Sequence, residues 1–169
     1  MTRFTTGLRL VSLSVLCVAF MAPIAVSVAG AASSPKPGVG PGGLTSARLC
    51  SFVTSVQAQG LLRGATPDGP GYPNTDNPGN ADCTWATNSG DNTSLSVSPN
   101  PGIKGCNGAK GKVLHFAGTT GCLPKTVVGM EVGKGKYYLE FTSNGVDASA
   151  KLTSTMEKVA AQVFMKLHA

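Results

Sequence analysis

The stretch TVVGMEVGKGKYYLEFT, residues 126–142, sets the fold class. Val128, Met130 and Val132 alternate along its first half, and Tyr137, Leu139 and Phe141 along its second. A period of two places each trio on one face of a strand. The turn Gly133-Lys134-Gly135 lies between them, with glycine to supply the positive φ that a tight hairpin needs. The two strands, Thr126–Val132 and Lys136–Thr142, therefore read as a hairpin with one apolar face.

Beyond it the period changes. Leu152, Met156, Val159, Val163 and Leu167 fall at i, i+4, i+7, i+11 and i+15, which predicts a helix over Ala148–Leu167 with Asp147 as N-cap. Its single stripe suits a sheet surface. Before the hairpin, Lys112–Ala117 places Leu114 and Phe116 on one face and His115 on the other. Cys83–Asn88 and Ser94–Ser98 flank a turn and form another hairpin, in which Leu95 and Val97 alternate with serines.

A helix is predicted over Thr45–Leu62. Thr45 or Ser46 caps it, Leu49, Phe52, Val53 and Val56 line its apolar face, and Gly60 and Gly64 mark its end. Between helix and strands, residues Gly64–Ala81 (GATPDGPGYPNTDNPGNA) are too rich in proline and glycine for helix or ladder. A loop of this length in a small domain is often functional. Asp68, Asp76 and Asp82 match no cation-loop spacing and read as turn residues. The expected architecture is α+β: an antiparallel sheet of about five strands, packed by an N-terminal and a long C-terminal helix.

The chain begins as an exported protein does. Arg3 and Arg9 precede an uncharged run from Leu10 to Val28, and Ala29-Gly30-Ala31 supplies a small-residue cleavage pattern. Residues 1–31 read as a secretory signal peptide, 32–43 as a disordered Pro/Gly-rich linker and 44–169 as one domain. Cys17 follows Leu16 in mid-run, which is not a lipid-acceptor context. Cleavage leaves no stable transmembrane span. It leaves 138 residues with 12 bases and 8 acids, a net charge of +4.

Outside the cytoplasm the remaining four cysteines, Cys50, Cys83, Cys106 and Cys122, are free to oxidise. Three pairings are possible. The favoured one joins Cys50 to Cys83 across the long loop and Cys106 to Cys122 around a short Gly/Lys-rich segment. No Cys-x-x-Cys pair exists, and His115 and His168 have no ligand spacing, so no metal or other cofactor is expected.

Catalytic signatures are missing from the sequence. There is no Gly-x-Ser-x-Gly elbow, and Gly105–Lys112 has one residue too many for a phosphate loop, with Val113 where Ser or Thr should stand. Glu131, Glu140 and His115 are the residues a hydrolase would use, though no motif singles them out. Six lysines (Lys104, Lys110, Lys112, Lys125, Lys134, Lys136) face a single acid, Glu131, between residues 104 and 136. They are candidate contacts for an anionic surface. Scarce arginine and low charge argue against nucleic acid. Tyr72, Trp85, Tyr137 and Tyr138 are the candidate aromatic ligand contacts.

Two short motifs carry a resemblance. Cys50-Ser51-Phe52-Val53-Thr54 and Cys83-Thr84-Trp85 resemble a family of small actinobacterial (mycobacterial-type) secreted proteins and lipoproteins of the cell envelope, of unknown function. The resemblance implies a sheet with a long C-terminal helix and a bridge between the helix cysteine and the Cys-x-Trp cysteine, which supports Cys50–Cys83. The chain departs from that family in lacking an acylatable cysteine at the cleavage site and in having Cys106 and Cys122. The expectation is a monomeric, non-enzymatic binding protein, secreted or envelope-associated, whose partner is an envelope protein, polymer or lipid. The alternatives are a carrier of a lipid or apolar small molecule, with its cavity between helix and sheet, and an exported hydrolase.

Overall fold

In the computed structural model, the described residues are 34–103, 111–124, 128–145 and 149–168, all within one unit, Ser34–Ala169. The fold is α+β. Its elements are α1 (Ser46–Cys50), α2 (Ser55–Leu61), β1 (Tyr72–Asn74), β2 (Ala81–Ala86), β3 (Asn92–Pro99), β4 (Gly111–Phe116), β5 (Thr119–Pro124), β6 (Val128–Lys134), β7 (Tyr137–Asn144) and α3 (Ala150–Leu167). The strands form one antiparallel sheet in the order β1-β2-β3-β7-β6-β5-β4.

Seven strands replace the expected five. Thr119–Pro124 adds one: it pairs with both β4 and β6, although Gly121, Cys122 and Pro124 give it little apolar alternation. Tyr72–Asn74 adds the other, inside the loop expected to exclude a ladder. A three-residue edge strand tolerates Pro73 because one side of it needs no partner. The hairpin turn also shifts. Lys134 pairs with Tyr137, so Gly135 and Lys136 form the two-residue connection and Gly135 takes φ +57°.

The N-terminal helix divides in two. Thr45 caps α1 through the Arg48 amide, and Thr54 opens α2 with a capping box to Gln57. The second cap competes with continuation of the first helix. The break frees the Phe52 carbonyl, which accepts from Gln162 Nε2 at 2.7 Å and Lys166 Nζ at 3.2 Å, both on α3. The break also rotates Val56 outward, to 78 % exposure, away from Leu49, Phe52 and Val53 in the core. Gly60 is the penultimate residue of α2, at the end it was expected to mark. A Cβ there would come within 3.0 Å of Thr155 Cγ2, so glycine permits close approach to α3.

The residues around Gly38 are ordered, contrary to the expected disordered linker. Pro37 bridges Pro78, and Val39 bridges Thr45. Lacking a Cβ, Gly40 can lie where one would sit 2.8 Å from the Val97 carbonyl oxygen. Ser46, 1 % exposed, ties this segment down. Its hydroxyl reaches Asn74 O at 2.6 Å and Gly38 O at 3.2 Å and accepts from the Asp82 amide at 3.0 Å.

The core lies between one sheet face and the helices. Trp85, Leu95, Val97, Met130, Val132, Leu139 and Phe141 meet Leu152, Met156, Val159, Val163 and the two short helices. Ala160 and Phe164 widen the α3 stripe, and Leu167 is only partly buried. Ser149 caps α3 through the Leu152 amide. Asp147, expected in that role, lies outside the described residues. Cys50 and Cys83 form a disulfide, with Cα atoms 5.3 Å apart. Cys122 is also disulfide-bonded, and Cys106 lies outside the described residues.

Candidate functional site

The sheet face turned away from the helices is polar. Strand register brings Asn74, Asp82, Ser96, Glu140 and Glu131 into one row across five neighbouring strands. Thr84, Ser94 and Thr142 form the next row. All of these side chains except Glu131, with Asn77 and Asn80 from the loop before β2, line a cleft of about 300 Å³. The long loop and the open face thus meet in one place.

Some of these groups hold each other. Asn77 Nδ2 donates to Asp82 Oδ2 at 2.7 Å, and the Thr84 and Ser94 hydroxyls are 2.8 Å apart. The side chains of Asn80, Ser96, Glu140 and Thr142 make no hydrogen bond within the described residues. Burial, then Glu131, then Asp82, push the Glu140 carboxyl above its usual range. The Tyr138 hydroxyl bonds Glu131, and burial followed by this bond raises its pKa.

The candidate aromatics separate. Trp85 is 2 % exposed and Tyr137 is also buried, whereas Tyr72 is exposed and donates to Asp68 Oδ1 at 3.0 Å. Trp85 still forms part of a second groove, of about 360 Å³, with Val53, Ala58, Pro70, Pro73 and Cys50. Of the six lysines, Lys104, Lys110 and Lys125 lie outside the described residues. Lys134 ends β6 and Lys136 lies in the β6–β7 turn. Lys112 pairs with Leu123, about four residue rows from Lys134, or roughly 13 Å along the strands.

His115 is exposed on edge strand β4 and lies apart from Glu131 and Glu140. The two glutamates project from the same face in the same direction. The cluster of Asn, Ser and Thr around them escaped sequence reading, because the β3–β7 pairing that assembles it spans more than forty residues. The only local signal was the run of serines alternating with Leu95 and Val97.

Among the described residues no group of His, Cys, Asp or Glu could hold a metal ion, and no helix is long and apolar enough to cross a membrane. Comparison with protein families, with characterised proteins and with solved structures finds no match to this chain.

Proposed function

We propose that this chain is an exported, non-enzymatic binding module of the cell envelope or extracellular medium, and that it takes a hydroxyl-rich, glycan-like ligand in the cleft between the open sheet face and the long loop. The observation that carries this reading is the cleft's composition. Amides, hydroxyls and carboxylates line it, and four of the side chains make no hydrogen bond among the described residues. Such groups fix orientation for a ligand that offers many donors and acceptors.

The sequence carries no catalytic signature, and of the two glutamates Glu140 alone lines the cleft. Export is supported by the signal-like first 31 residues and by the Cys50–Cys83 disulfide, which persists in oxidising compartments. Membership of the actinobacterial envelope family is part of the same proposal and rests on the two cysteine motifs.

The test is an array of neutral and amino-sugar oligosaccharides probed with the mature protein from Ala32. Ser96→Trp, which fills the cleft from an outward-facing position, is expected to abolish binding. Lys134→Glu, on the other face, is expected to preserve it. An empty array, or binding that survives Ser96→Trp, overturns the assignment. Release of shorter sugars would replace binding by hydrolysis.

A further inference from the structure

A second cleft opens on the helix side of the sheet, where the C-terminal end of α3 passes the β4–β5 turn. It encloses about 460 Å³ and is lined by Ala117, Lys134, Ala161, Phe164, Met165 and His168. Phe164 is 2 % exposed and belongs to the core, whereas Met165, beside it, is 68 % exposed. The floor is thus fixed and one wall is a flexible thioether, which adapts to apolar shapes. By contrast, the cleft beside Leu152 and Met156, at the helix–sheet interface where a carrier's cavity was expected, holds only about 60 Å³.

The rim carries positive charge. Lys134 Nζ lies 5.8 Å from the Phe164 ring centroid. Lys136 Nζ lies 5.3 Å from that of Tyr137, whose ring packs edge-on against His168 at 5.7 Å. Among the described residues no carboxylate lines the cleft. An apolar floor below an ammonium group complements a molecule with an apolar chain and one negative head. The volume falls in the range of small-molecule sites, about 300–1,000 Å³. A concavity with a buried floor suits a single inserted chain, whereas a bilayer surface is met by residues that protrude.

We propose that this cleft binds one free fatty-acid-like carboxylate, with its chain against Phe164, Ala161, Met165 and Ala117 and its head at Lys134. The site is separate from the polar cleft, and either assignment can fail without the other.

The experiment is calorimetric titration of the mature protein with decanoate and, in parallel, 1-decanol, both below their aggregation limits. Decanoate is expected to bind at one site. Lys134→Glu is expected to weaken decanoate at least tenfold and to leave decanol within about twofold. Ala161→Trp should abolish both. Met165→Trp, at an exposed position, should do the same without disturbing the core, so a misfolded Ala161→Trp protein does not end the test. No decanoate binding overturns the proposal. So does binding that neither tryptophan variant alters. Flotation with phosphatidylglycerol vesicles, unaffected by excess decanoate, would assign the lysines to a membrane surface and also overturn it.

Discussion

Glu131 and Glu140 stand directly opposite each other across the β6–β7 ladder, on the open face of the sheet. Like charges in that relation repel, at a cost of about 0.2–1 kcal/mol. Burial first, then this repulsion, gives the Glu140 carboxyl a higher pKa in the folded than in the unfolded chain. The folded state holds this proton more tightly, so the repulsion is absent below the ordinary carboxylate pKa and costs stability as pH rises through the raised one. Glu140→Gln should melt above the wild type at pH 7 and level with it at pH 3. Calorimetry at both values checks this. Equal melting at pH 7 would mean that solvent screens the pair.

Removing the Cys50–Cys83 bridge should cost about 3–4 kcal/mol, the chain-entropy value for a loop of this size. The two residues are 33 apart in sequence. Cys50→Ser with Cys83→Ala, compared with wild type by urea denaturation, gives the number. A loss under 1 kcal/mol would mean that the Ser46 contacts already restrain the same segment.

Ser46→Ala leaves the Asp82 amide without its acceptor and Asn74 O without its closest donor. A buried group stripped of its partner costs roughly 1–3 kcal/mol. The loss should be local as well as global, with faster proteolysis between residues 64 and 80. An unchanged cleavage rate would show that β1 is held by its ladder alone.

A Cβ at Gly71 would lie 2.5 Å from Cys83 Sγ and 2.6 Å from Trp85 Nε1. Gly71→Ala should lift the loop off the chain's single tryptophan, shifting its emission to longer wavelength. A wild-type spectrum would mean that the loop bends elsewhere to absorb the methyl group.

Gln162 joins the helices through two bonds: it accepts from Gln57 Nε2 at 2.6 Å and donates to Phe52 O at 2.7 Å. Gln162→Leu should lower stability by about 1–2 kcal/mol. Lys166 remains as a second donor to the same carbonyl, so Gln162→Leu with Lys166→Ala should lose more than the single variant. Equal losses would show that Lys166 contributes nothing.

In the strands and in α3, where apolar residues kept a regular period, sequence and structure agree. The alternations in β3, β6 and β7 and the stripe of α3 all face the core. The misses share a cause: a contact distant in sequence overrode a local rule. Thr119–Pro124 is a strand because β4 and β6 hold it from both sides. The Pro/Gly segment near Gly38 is ordered because Pro78, Thr45 and Val97 receive it. The split of the N-terminal helix was readable in part, since Thr54 and Gln57 have capping-box spacing, but four apolar residues at helical intervals outweighed them. The polar cleft was not readable, because its members come from four strands and a loop.

The pairing of β3 with β7 sets an order of events during synthesis. Residues 92–99 pair with β2 on one side and find their second ladder partner in residues 137–144. Until Asn144 has been made, the strand bearing Leu95 and Val97 has one bare edge, and α3, which packs against α2 and β6, comes later still. Residues up to Pro99 can make α1, α2 and the β1-β2-β3 meander, but the β6, β7 and α3 side of the core is still missing. Closure of the core therefore waits on segments far along the chain from the strand whose side chains it buries.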